Sequence, residues 1–262
     1  FFYLNIGDYQ EPIFNLVDSE FLGDDIGTNL CPSFGDLDLD GDYDLIIGTY
    51  VGDIQIYENI GNKYNFSFNF HSSIDGGSDF WFATPSLSDI DNDGDLDMMV
   101  GNIYGDLRLY NQQAPLLFTF EFDSFQDINV GYYSAPYFLD IDLDDDDDLI
   151  VGGSSHQKIF LNNNENFEES ENIEIPFIGK NVKFSGGTLF KSNQFDIISG
   201  LSTGGLYILS EEICSHGDLN QDQIINISDI INLIYIVLDI SESNHYAFCS
   251  GDLNNDTGFN IL

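Results

Sequence analysis

Hydrophobic positions in this chain cluster in short runs that return at a nearly fixed interval. Leu45-Ile-Ile-Gly48, Met98-Met-Val-Gly101 and Leu149-Ile-Val-Gly152 each pair an apolar run with a closing glycine. Runs this short, rich in strand formers and bounded by turn residues, predict strands buried on both faces. Behind them come stretches that alternate apolar and polar residues with strand period: Asp53-Ile-Gln-Ile-Tyr57, Asp106-Leu-Arg-Leu-Tyr110 and, more briefly, Ile159-Phe-Leu161. Gly52 and Gly105 separate run from alternation in the first two units, and His156 stands at that place in the third. Each unit has room for about four short strands joined by turns.

The pattern extends beyond these units at both ends. Tyr3-Leu-Asn-Ile-Gly7 matches Tyr57-Glu-Asn-Ile-Gly61 at an offset of 54. Residues 1–30 are therefore expected to be the rear half of a unit whose front is missing, and the sequence to be a fragment. Phe195-Asp-Ile-Ile-Ser-Gly200 and Gly204-Gly-Leu-Tyr-Ile-Leu209 form a worn fourth copy. Repeats of about 50 residues with about four antiparallel strands each predict a mainly β chain of propeller blades. The expected division is a partial blade at 1–30, blades at about 31–80, 81–131 and 132–180, and a degenerate blade at 181–210.

Immediately before each buried run lies an acidic loop. Asp36-Leu-Asp-Leu-Asp-Gly-Asp-Tyr-Asp44 is followed 53 residues on (89 − 36) by Asp89-Ile-Asp-Asn-Asp-Gly-Asp-Leu-Asp97. Asp140-Ile-Asp-Leu-Asp-Asp-Asp-Asp-Asp148 follows 51 after that (140 − 89). Pro32, Pro85 and Pro136 each sit four residues ahead of their loop. Five carboxylates at alternate positions repel one another unless a cation neutralises them. Ca²⁺ suits the set because it takes six to eight oxygens in flexible geometry. Asp36, Asp38 and Asp40 would offer side-chain oxygens, Asp42 its carbonyl, and Asp44 would close the shell. Asp89, Asp91, Asp93, Asp95 and Asp97 repeat that set, as do Asp140, Asp142, Asp144, Asp146 and Asp148. Gly41 and Gly94 allow the sharp turn, where the third loop has Asp145. The fourth copy has Thr188, Phe190, Ser192 and Gln194, with only Asp196 retained, so no ion is expected there.

Charge narrows the class of partner. Of 262 residues, 46 are acids and 6 are Lys or Arg, a formal charge of −40. Such a chain repels nucleic acid and anionic membranes. No run reaches the roughly 18 to 20 apolar residues of a membrane span.

From Cys214 the spacing changes. Asp218, Asn220, Asp222, Asn226 and Asp229, with the carbonyl of Ile224, occupy EF-hand positions. Ile227, Ile230, Ile231, Ile234, Val237 and Leu238 then recur at helical spacing. A second loop begins 34 residues later (252 − 218) with Asp252, Asn254, Asp256, the carbonyl of Gly258, and Asn260. The chain stops at Leu262, one residue before the position that normally supplies the closing carboxylate. A truncated helical module over 211–262 is expected, with one strong and one weak Ca²⁺ site. Cys214 and Cys249 precede these loops as either a disulfide pair or two buried thiols, and Cys31 is left over.

Two resemblances follow from these residues. The pattern P-x-x-x-D-x-D-x-D-G-D-x-D-L-x-x-G with a following Y-x-N-x-G, over roughly 1–210, resembles the FG-GAP or VCBS repeat of integrin-alpha-like propellers. That resemblance implies Ca²⁺ in the loops and blades around a central axis. The motif G-D-L-N-x-D-x-x-x-N-x-x-D resembles the type I-like dockerin over 214–262, with Gln223 in place of the usual glycine. It implies a cohesin-like partner on an extracellular scaffold.

Little in the chain suggests catalysis. His71, His156, His216 and His245 show neither metal-ligand spacing nor a nucleophile–base pattern. Trp81 and the pair Tyr132-Tyr133 suit either packing or stacking on a sugar ring, and Asn65-Phe-Ser67 fits a glycosylation sequon. The expectation is a secreted, non-enzymatic, calcium-binding propeller that binds a glycan or protein ligand. Its rivals are a non-catalytic part of a polysaccharide lyase or hydrolase, and a structural spacer.

Overall fold

The computed structural model describes residues 2–7, 12–23, 26–142, 144, 146–163, 166–170, 179–187, 196–200, 204 and 206–210. The chain divides into two units, 1–189 with 195–209, and 190–194 with 210–262. Except for Ser210, the second unit lies outside the described residues. The expectations for the helical module, its two loops, Cys214 and Cys249 therefore fall outside them, as do Asp145 and loop positions 188–194 of the fourth copy.

Antiparallel sheets follow one another along the chain. A two-stranded sheet, β1 (Phe2–Asn5) and β2 (Phe14–Asp18), comes first. Three four-stranded sheets follow in meander order. The first holds β3 (Cys31–Gly35), β4 (Asp44–Gly48), β5 (Ile54–Asn59) and β6 (Phe68–Ile74). The second holds β7 (Thr84–Ser88), β8 (Asp97–Gly101), β9 (Leu107–Ala114) and β10 (Leu117–Phe122). The third holds β11 (Ala135–Leu139), β12 (Asp148–Gly152), β13 (Lys158–Asn163) and β14 (Asn166–Glu169). A three-stranded sheet closes the series with β15 (Lys183–Gly187), β16 (Asp196–Gly200) and β17 (Leu206–Ser210). The fold is mainly β and β-propeller-like, as the spacing of apolar runs predicts. Among the described residues no helix is long and apolar enough to cross a membrane.

The apolar runs become the second strand of each sheet, and every residue of β4, β8 and β12 is buried. Side chains alternate between faces along a strand, so each run feeds two interfaces. Met98 and Val100 join Ile46, Ile54, Ile56 and Leu37 in a core between the first and second sheets. Met99 turns the other way, into a core with Leu109, Leu149, Val151 and Phe160. Leu139, Ile150, Ile159, Val182 and Phe184 form the next layer. Burying one such side chain stabilises by about 1.5–3 kcal/mol, so these layers dominate the fold's stability.

The sheets meet at closely spaced backbones. A Cβ on Gly48, Gly101 or Gly152 would stand 2.2, 2.3 or 2.1 Å from the carbonyl oxygen of Ala83, Ser134 or Val182, the residue just ahead of or near the next sheet's first strand. The recurring glycine thus marks backbone contact between sheets. Ser134 reinforces it: its Oγ accepts the Asn102 N–H at 2.8 Å and donates to the Asp106 carbonyl at 2.7 Å. The first strands β3, β7, β11 and β15 line a common cleft of about 540 Å³. In that cleft Lys183 Nζ meets the thiol of Cys31, the one free cysteine among the described residues.

Candidate metal centres

All three acidic loops join the first strand of a sheet to the second, so they lie at one end of the strands. Each of two loops is held by the second sheet's strands: Ser88 Oγ at the end of β7 donates to Asp147 Oδ2 at 2.8 Å, and Gln112 Nε2 on β9 donates to the Leu37 carbonyl at 2.7 Å. The opposite end carries the turns from second to third strand and the links between sheets. Aromatic rings gather there. Tyr50 packs edge-on against Trp81 at 5.5 Å and Phe82 at 4.6 Å, and Phe82 against Tyr133 at 5.1 Å. Trp81, Tyr104 and Tyr132 remain 36, 49 and 58% exposed. Trp81 Nε1 is anchored on the Ser78 carbonyl at 3.0 Å.

Within each loop the carboxylates fold back on the backbone. Asp36 accepts the N–H groups of Asp40 and Gly41 at 3.1 and 3.0 Å, and Asp40 accepts that of Asp42 at 3.1 Å. The second loop repeats this, with Asp89 on Gly94 at 3.0 Å, Asp91 on Asp93 at 3.2 Å and Asp93 on Asp95 at 3.1 Å. In the third, Asp140 takes the Asp144 N–H and Asp144 that of Asp146, both at 3.1 Å. Gly41 and Gly94 have φ of 93° and 96°, the conformation for which glycine is suited. Leu39 and Asn92, two residues earlier, are also left-handed, at 61° and 58°. The asparagine tolerates this readily and the leucine does not.

These turns draw carboxylates together. Ligand oxygens of Asp36, Asp38 and Asp40 lie within 4.8 Å of one another, as do those of Asp89, Asp91 and Asp93, and of Asp140, Asp142 and Asp148. Burial pushes up the pKa of Asp38, with the charges of Asp40 and Asp36 adding to it. Asp95 and Asp142 are raised in the same way, each first by burial and then by neighbouring aspartates. Asp42 is also raised, by burial and by Asp40. Its Oδ1 is buried without a hydrogen-bond partner, and so are Asp89 Oδ1 and Asp95 Oδ1. Buried acceptors are normally paired, and an orphan carboxylate oxygen costs several kcal/mol at most sites. A divalent cation supplies the missing positive charge to all of them, so the donor set fits Ca²⁺.

The ninth position does a second job. Asp44 Oδ2 accepts the Leu37 N–H at 2.9 Å, and Oδ1 accepts the Asn59 N–H at 2.8 Å. Asp148 makes the same pair of bonds to Ile141 and Asn162, at 2.9 and 2.8 Å. Asp97 Oδ1 accepts the Gln112 N–H at 3.0 Å while its Oδ2 has no partner. Burial raises Asp97 to about 7, with the Gln112 N–H opposing. This carboxylate staples the loop to the start of the buried strand and to the end of the third strand. Sequence spacing alone marked it only as a ligand. The third-strand partners Asn59, Gln112 and Asn162 were missed, although the Y-x-N-x-G pattern at Tyr57 points at the first of them.

Residues 36–100 match the family described as FG-GAP-like repeat, a stretch that holds the first two acidic loops and the strands after them. No curated protein sequence matches the chain. Among solved structures, the crystal structure of BBS1N in complex with ARL6DN is similar at 16% identity and a TM-score of 0.37. That match covers 69% of this chain and 53% of the other, so the chain spans about half the length of the protein it matches.

Proposed function

We propose that this chain is a secreted, calcium-loaded interaction module of β-propeller-like fold that binds a carbohydrate or protein ligand. The observation that carries the reading is a carboxylate cluster in each of three loops, drawn from the first, third and fifth positions in the first two and from the first, third and ninth in the last, each at the mouth of a fully buried strand. Ca²⁺ in each loop neutralises carboxylates that otherwise repel, and it ties the first and second strands of a sheet together. The first loop's ion would be held by Asp36, Asp38 and Asp40 with help from Asp42, the second by Asp89, Asp91 and Asp93, and the third by Asp140, Asp142 and Asp148. The match of residues 36–100 to the FG-GAP-like repeat supports the same reading. Residues 214–262 would tether the module to a cohesin-like domain through their own Ca²⁺ loops.

Calorimetric titration of the full chain with Ca²⁺ after chelation is the test. Saturable binding that raises thermal stability is expected. A chain equally stable in chelator and in Ca²⁺ would sink the reading. The exposed rings of Trp81, Tyr104 and Tyr132 are the natural ligand face, since aromatic faces stack on sugar rings and anchor protein interfaces. A glycan array probed with the Ca²⁺-loaded chain and its Trp81→Ala and Tyr132→Ala variants distinguishes the two ligand classes.

A further inference from the structure

Cys31, Thr84, Ala135 and Lys183 open β3, β7, β11 and β15, and they pair with Gly48, Gly101, Gly152 and Gly200 on the next strand. Two residues ahead of each the backbone is left-handed, at Asn29, Phe82, Tyr133 and Asn181, with φ of 50, 59, 57 and 52°. The chain thus enters the common cleft in one conformation four times, and the four opening side chains hold equivalent places. In the second and third four-stranded sheets that place is inert. Thr84 Oγ1 donates to the Ser134 carbonyl at 2.7 Å, and Ala135 is buried. In the first four-stranded sheet and in the three-stranded one it carries a thiol and an amine, which meet across the cleft.

The setting of this pair is unusual for so acidic a chain. Arg108 and Lys158 each hold a carboxylate at 2.7 Å, on Asp123 and Glu169. Lys183 instead lies against Cys31 Sγ, and among the described residues that line the cleft none is acidic. Cys31 is half-buried and Lys183 exposed, so a small oxidant in water reaches both. A thiol open to oxidants is carried up the oxidation ladder, and its first product reacts with a thiol or nitrogen at hand. Here that nitrogen is Lys183 Nζ, and among the described residues there is no second thiol.

We propose that Cys31 and Lys183 form a redox-controlled cross-link, closed by dioxygen into a sulfur–oxygen–nitrogen bridge and opened by dithiols. The ammonium first gives its extra proton to solvent. The Cys31 S–H bond and one Lys183 N–H bond then break, and an S–O and an O–N bond form. One atom of dioxygen becomes the bridge and the other leaves as water. Sulfur and nitrogen each give up two electrons, and the oxygen atoms take up all four. Two equivalents of a dithiol return the thiol, the amine and a second water, each dithiol becoming a disulfide. The bridge joins residues 152 apart in the chain and ties β3 to β15, the first and last strands that line the cleft. A cross-link of that span restricts the unfolded chain and so stabilises the folded one.

The test exposes the full chain in Ca²⁺ to air, or holds it under argon with dithiothreitol, before digestion and mass analysis. Air should give a linked pair of peptides holding Cys31 and Lys183, heavier than their sum by about 14 Da, one oxygen less two hydrogens. Dithiothreitol should split it. The rise in melting temperature from reduced to air-exposed chain should be larger by about 5 °C or more than in Lys183→Arg, which keeps the charge and should form no link. A linked pair lighter than its sum by about 2 Da, a direct S–N bond, would overturn the oxygen bridge. Cys31 found in a disulfide with Cys214 or Cys249 would overturn it too, as would peptides left unlinked after both air and hydrogen peroxide.

Discussion

Asp44 and Asn59 are joined across the first sheet: the Asp44 carboxylate takes the Asn59 N–H at 2.8 Å with one oxygen and the Leu37 N–H at 2.9 Å with the other. This single side chain closes the acidic loop onto the strand behind it. Asp44→Ala would leave two buried N–H groups without acceptors, a loss of about 2–5 kcal/mol. Asp44→Asn keeps one acceptor and should lose about half as much. Urea denaturation in chelator isolates this effect from any ion. Unchanged stability of Asp44→Ala under that condition would show that the staple contributes nothing.

Asp38→Ala and Asp91→Ala should each remove one ion and loosen one sheet. Repeats of this kind are coupled mainly to their neighbours, so the damage should be graded along the chain. Metal analysis gives the stoichiometry, and hydrogen exchange maps the loosening. Uniform loss of protection in every sheet would argue instead for one cooperative unit.

The cation-free protein should be most stable in acid. Burial raises Asp97 from 3.8 to about 7, so between those values the folded state keeps a proton that the unfolded chain has released. Stability is therefore greatest below about pH 4 and falls as pH rises toward 7. Asp38, Asp42 and Asp148 are shifted in the same direction by burial and reinforce the trend. Ca²⁺ holds the carboxylates ionised and should abolish or reverse the slope. Melting temperature against pH, with chelator and with Ca²⁺, checks both signs.

Leu39 holds a left-handed backbone, φ 61°, with its side chain 65% exposed. Little packing is at stake there, so Leu39→Asn should relieve strain and stabilise by about 1 kcal/mol. Gly101→Ala is the opposite case. Its Cβ would meet the Ser134 carbonyl at 2.3 Å and push two sheets apart, a loss of about 1–3 kcal/mol or more. Denaturation midpoints for the two variants should move in opposite directions.

The contrast between these two positions shows what is legible in the sequence. Gly48, Gly101 and Gly152 recur in register with an apolar run, and periodicity alone marks their strands as buried. The carboxylates at the first, third and fifth loop positions are equally plain, because acids crowded at alternate positions demand a partner. Leu39 carries no sign of its backbone, since leucine is at home in most conformations. The double role of Asp44 is hidden because ligation and backbone stapling call for the same residue type. Contacts such as Ser88 with Asp147 depend on which sheets become neighbours, and no local pattern encodes that.

The acidic loops occupy one end of the strands and the aromatic rings of Trp81, Tyr104 and Tyr132 the other. A fully buried strand runs from one end to the other in each four-stranded sheet, so substitutions in the carboxylate loops and in the rings should report on separate properties of the molecule.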